Sequence, residues 1–76
     1  MNRDRRKQLE EAKAKLEEAK EIVDQCKDEE QEGFDNLSEG LQCAENGMKM
    51  EEAVGNLETA SDSIEEAINS IEEAMV

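Results

Sequence analysis

Between Asp28 and Glu39 a twelve-residue window carries acids at its first, third, fifth and twelfth positions (Asp28, Glu30, Glu32, Glu39) and glycine at its sixth, Gly33. Oxygen ligands at those spacings around a glycine turn are the pattern of a helix-flanked calcium loop. The match departs from that pattern at three positions. The third and fifth hold glutamate where the shorter Asp or Asn is usual, and the eighth, ordinarily apolar, is Asp35. In a chain where 22 of 76 residues are acidic such a match arises readily by chance, and no metal or cofactor is expected from it. Cys26 and Cys43 are too far apart for a CxxC redox or zinc motif, and histidine is absent. Cys26 reads as a reduced thiol buried in place of a small apolar residue. With no histidine, tyrosine or tryptophan and no nucleophile–base pairing, an enzyme is not expected.

The other residues with chemical potential are the paired acids of the second half: Glu51, Glu52, Glu58, Asp62, Glu65, Glu66, Glu72 and Glu73, with no basic residue after Lys49. Two readings stand side by side. One is a solvated helix surface that keeps the chain dissolved. The other is a rod of carboxylates presented to a basic groove on another protein, in imitation of nucleic acid. Duplex DNA carries one charge per about 1.7 Å, whereas these eight acids give one per roughly 5 Å of helix, so a single copy is a thin mimic.

Those acids are held in place by a heptad repeat. The phrase bulky–acid–acid–small begins Leu9-Glu-Glu-Ala12 and Leu16-Glu-Glu-Ala19, and recurs at Met50–Ala53, Leu57–Ala60, Ile64–Ala67 and Ile71–Ala74. Apolar residues alternately three and four apart form one seam on an α-helix and throw the acids outward. Low hydrophobicity and high net charge alone would suggest disorder, but a sustained seven-residue register with strong helix formers in the gaps and no proline argues for helix. The expected fold is all-α: an antiparallel helical hairpin with helices at about residues 3–31 and 48–76. Asn2 is a candidate N-cap, and a connector over 32–47 contains a short middle helix. Gly33 and Gly47 read as helix stops.

In the last helix a second column, Val54, Ser61, Ile68 and Met75, widens the apolar face beyond what one neighbour covers. The stripe Val54, Ile64, Ile68, Ile71 and Met75 is therefore expected to meet a second copy, pairing two hairpins into a homodimeric four-helix bundle. The alternative is a monomer whose middle segment folds back as a third helix. Charge is divided unevenly. Residues 1–27 hold eight bases and seven acids, net +1, while residues 28–76 hold one base and fifteen acids, net −14. The cluster Arg3, Arg5, Arg6 and Lys7 opposes its own helix dipole and is expected beside Glu72 and Glu73 of the returning helix; direct nucleic-acid binding is not expected. No apolar run is long enough for a membrane span and the N-terminus lacks a signal-peptide core, so a cytoplasmic location is expected.

The stretch Asp28–Gln42, DEEQEGFDNLSEGLQ, followed by Met50-Glu-Glu-Ala-Val-Gly-Asn-Leu-Glu and the terminal IEEA repeats, resembles small uncharacterised helical proteins of Firmicutes phages and prophages. The opening Asn-Arg-Asp-Arg-Arg-Lys is similar too. The resemblance implies a bacterial cytoplasmic setting during phage growth and no established activity. Small phage accessory proteins often bind and block a host protein, including antiviral defence complexes. That analogy and a purely structural coiled-coil role are the two expectations carried forward.

Overall fold

A computed structural model describes residues 1–76, and all of its regular structure is helical. Helix α1 spans Arg3–Asp35, α2 Glu39–Gln42 and α3 Glu45–Ala74. Asn2 opens α1 as expected: its side-chain oxygen accepts from the Arg5 N–H at 2.7 Å, satisfying one of the donors left free in a first turn. Ser38 opens α2, accepting from the Leu41 N–H at 3.4 Å.

Both long helices run further toward the connector than the glycines suggested. Gly33 lies inside α1 and Gly47 inside α3, and neither takes a positive φ, so neither acts as a stop. Gly47 serves close approach instead. It is buried, and a Cβ there would stand 2.7 Å from the Gln42 carbonyl carbon and against the Leu41 carbonyl oxygen. The first turn of α3 therefore sits directly on the end of α2. Gln42 in turn donates its side-chain amide to the Phe34 carbonyl at 3.1 Å, tying the short helix to the end of α1. Of the calcium-loop window 28–39, residues 28–35 are part of α1, so Asp28, Glu30 and Glu32 are spread around a helix, while Glu39 opens α2, and the four acids do not converge.

Helices α1 and α3 pack closely along their lengths. Their contacts follow opposite orders: Lys13 meets Glu72, Asp24 meets Ser61, and Gly33 faces Met50. The result is a rod with Cα extents of 58 × 14 × 13 Å. Its radius of gyration is 17.2 Å, against about 11 Å for a compact domain of this length. Only three of 76 residues are buried, and Ile68, 4% exposed, is the one apolar side chain among them.

Contacts also fix which columns face inward. On α1 the residues four after each bulky seam position are Lys13, Lys20 and Lys27; on α3 they are Val54, Ser61, Ile68 and Met75. Ser61 touches Asp24, and Glu72, four beyond Ile68, touches Lys13, so these two flanks form one edge of the rod. Ser61 and Ile68 are thereby buried against α1, which corrects the expectation that Ile68 belongs to a stripe left for a second copy. The remaining members of that stripe, Val54, Ile64, Ile71 and Met75, are half-buried. Residues three after the seam, Ala12, Ala19 and Cys26 on α1 and Ala53, Ala60, Ala67 and Ala74 on α3, line the opposite edge. Cys26 is exposed there, and not the buried thiol expected.

Two glycines should respond oppositely to alanine. Gly55 has nothing within 4 Å of an added Cβ, so Gly55→Ala should stabilise the fold by about 1 kcal/mol and raise the melting temperature by several degrees. Gly47→Ala must displace backbone and should lower it. Circular-dichroism melts of both variants test the junction, and a rise in both would refute it.

Candidate functional site

Two shallow depressions flank α2, one lined by Gln42, Cys43, Met48, Glu51 and Glu52 and the other by Leu37, Leu41, Ala44, Glu45, Asn46 and Met50. Cys43 is a free exposed thiol, and no group of three His, Cys, Asp or Glu side chains is placed to hold a metal ion. No helix is long and apolar enough to cross a membrane.

The surface of greatest chemical character is the outer side of α3. All eight candidate acids, Glu51, Glu52, Glu58, Asp62, Glu65, Glu66, Glu72 and Glu73, are exposed. Seven-residue spacing sorts most of them into two columns. Glu51, Glu58, Glu65 and Glu72 run along the edge shared with the lysines of α1; Glu52, Glu66 and Glu73 run along the back, with Asp62 between. From Glu51 to Glu73 the array extends about 33 Å at 1.5 Å per residue.

Among the eight candidate acids, the one ion pair to a cation of α1 is made from the first column. Lys13 bonds Glu72 at 3.1 Å, and that hydrogen bond and the attraction of the carboxylate raise the lysine pKa. The pKa of Lys20 is raised chiefly by its hydrogen bond to Asp24, with smaller attractions from Glu65 and Asp62. Of the fifteen acids between residues 28 and 76, only Glu72 and Glu45, the latter with Lys49 at 3.3 Å, form ion pairs, leaving thirteen without one. Arg3, Arg5, Arg6 and Lys7 do not supply the missing cations. With residue 13 opposite 72 and 24 opposite 61, the register carries residues 3–7 past Val76, which is why Lys13 takes the place expected for that cluster.

A polar cluster that the sequence did not disclose sits between the helices. The buried Ser61 hydroxyl donates to Asp24 at 2.5 Å, and Lys20 donates to the second Asp24 oxygen at 3.0 Å. Its one sequence signal was the serine interrupting the otherwise apolar column Val54, Ile68, Met75. A short polar side chain so placed fixes the lengthwise register of α1 against α3, because sliding either helix strands a buried hydroxyl.

The Ser61 hydrogen bond, then the Lys20 hydrogen bond, hold the Asp24 carboxyl below the ordinary aspartate range. Because its folded pKa is depressed, the stability this contact contributes is full above the unfolded value and is lost as pH falls through the lowered one. Carbon-detected NMR titration should show Asp24 protonating below the pH of an unfolded aspartate, and Ser61→Ala should move it back up. An unmoved titration would show that the hydroxyl does not hold the carboxylate.

Comparison with family models, curated proteins and solved structures finds no match, so the functional reading rests on the charge and packing of the chain itself.

Proposed function

We propose that this chain is a small phage-type accessory protein that binds a basic surface on a host protein through the acidic side of α3, acting as two copies joined in a four-helix bundle. The observation that carries the reading is the set of eight exposed carboxylates after Lys49 on α3, seven of them without an ion pair, with no lysine or arginine among them. A helix needs no such concentration to remain dissolved; mixed charges of the kind α1 carries are enough. One-sided charge favours fast, long-range attraction to cationic surfaces and discriminates against anionic ones.

Partners with a basic groove that otherwise receives nucleic acid match this surface best. That class includes nucleic-acid-handling and antiviral defence complexes, and blocking such a groove is the expected mode of action. With Glu72 engaged by Lys13, the array in one copy is thinner than a duplex backbone, and two copies supply the charge that one lacks.

The reading is tested on a partner captured from bacterial lysate and then purified. Affinity should fall at least tenfold between about 50 and 300 mM salt, and nucleic acid should compete for the same partner. Replacing Glu52, Glu58, Glu66 and Glu73 by Gln removes four carboxylates that hold nothing internally and should weaken binding at least tenfold while leaving helicity intact. Binding as tight as the parent's would sink the acidic-face proposal.

A further inference from the structure

We infer that the closed end of the hairpin, where α2 joins α1 to α3, is a docking surface for a cationic segment of a partner protein that carries a bulky apolar anchor between lysines or arginines. This surface is separate from the carboxylates beyond Glu52 and does not depend on their binding anything. Two bulky apolar side chains stand out from it: Leu41 is 56% and Met48 62% exposed. One exposed leucine is ordinary, but each of these two lines one of the depressions beside α2. On one side Leu41 stands with Leu37, Ala44 and Met50 around a depression of about 460 Å³; on the other Met48 stands with Glu51 and Glu52 around one of about 500 Å³. Reversing the chain requires neither side chain. The reversal is held by the Leu41 and Gln42 carbonyls against Gly47, by the Gln42 amide on the Phe34 carbonyl at 3.1 Å and by the Ser38 cap, all of them backbone or polar contacts. Because those contacts fix α2 to both long helices, the depressions are formed before a partner arrives, which lowers the ordering cost of binding. Met48 and Met50, two of the four methionines, add side chains that adapt to what enters.

Charge says what covers the surface. From Asp28 to Glu52 the chain has nine acids and one base, Lys49, which is itself bonded to Glu45 at 3.3 Å. Glu45 lines the first depression, and Glu51 and Glu52, neither of them in an ion pair, line the second. Apolar ground is therefore bordered by carboxylate on both sides of α2. A segment with lysine or arginine on either side of a bulky aliphatic or aromatic residue matches that order. Two other occupants carry the wrong charge. A second copy presenting the same end would set nine acids against nine, and an anionic lipid surface would be repelled. Both depressions are shallow, which suits a side chain delivered by a partner and not an enclosed small ligand.

Selection of random peptides displayed on yeast, with the intact chain as bait, tests the assignment. Enriched peptides should combine lysine or arginine with at least one bulky apolar residue, and their affinity should fall at least tenfold for Leu41→Ser with Met48→Ser. Circular dichroism of that double variant should match the parent's, because both side chains are already more than half exposed. Methyl NMR supplies a second reading that alters no residue. An enriched peptide should shift the methyls of Leu37, Leu41, Met48 and Met50 and leave those of Ile64 and Ile71 in place. Replacing Glu58, Glu66 and Glu73 by Gln should change the peptide's affinity by less than about threefold, so this surface and the acidic face of α3 fail separately. Enriched peptides without apolar residues, equal affinity for the double-serine variant, shifts confined to residues beyond Glu52, or no enrichment at all would overturn the assignment. So would a doubled mass in sedimentation that Leu41→Ser abolishes, which would give the surface to a second copy.

Discussion

Almost everything tertiary in this chain passes through one contact, the seam between α1 and α3. A helix pair buries one stripe per helix, so each side chain on that stripe is covered from one direction and left open on its flanks. That geometry explains why Leu9, Leu16, Val23, Leu57 and Ile64 are half-buried and only Ile68 is enclosed as an apolar side chain. It also explains the role of Ser61, Asp24 and Lys20. Alternating bulky and small residues repeat every seven positions, so a slide of one heptad would lose little packing. A buried hydroxyl bonded to one particular carboxylate removes that degeneracy.

From this seam the two edges acquire different characters. Where lysines stand four residues after the bulky positions of α1, the edge is filled by long polar side chains, of which Lys13 meets Glu72 of α3 and Lys20 holds Asp24 against Ser61. Where alanines stand three after, no ion pair or side-chain hydrogen bond joins the two helices. The same heptad thus produces a polar edge bonded across the helices, an edge lined by small residues, and an acidic back on α3.

Much of this was legible in the residues, and the failures have physical causes. The repeat specified two long helices and a short one, and Asn2 was readable as a cap because it needs only its own first turn. Gly33 and Gly47 were misread because a glycine that ends a helix and one that admits a close neighbour look alike until the neighbour is placed. Gly47 admits the carbonyls of α2; Gly33 faces the Met50 methyl 3.1 Å from where a Cβ would stand. The acids were correctly placed on the exposed surface because the repeat alone puts them there. Which of two adjacent columns faces the neighbour was not legible, since a heptad leaves both the three-after and four-after flanks available. That choice sent Ile68 inward and Cys26 outward. Lys13 rather than the Arg3–Lys7 cluster meets Glu72 because register depends on Asp24 and Ser61, 37 positions apart in sequence.

We propose that the single α1–α3 seam leaves the rod incomplete and that a second copy completes it. A single seam with one buried apolar side chain supplies little stabilisation for a chain of 76 residues. If association covers the open flanks of the seam, folding and assembly are linked by mass action, and the thermal midpoint must depend on protein concentration. Melting curves recorded over a hundredfold range of concentration should show the midpoint rising by several degrees. A midpoint that stays constant over that range, with a cooperative transition, would contradict the account and show that the seam stands alone.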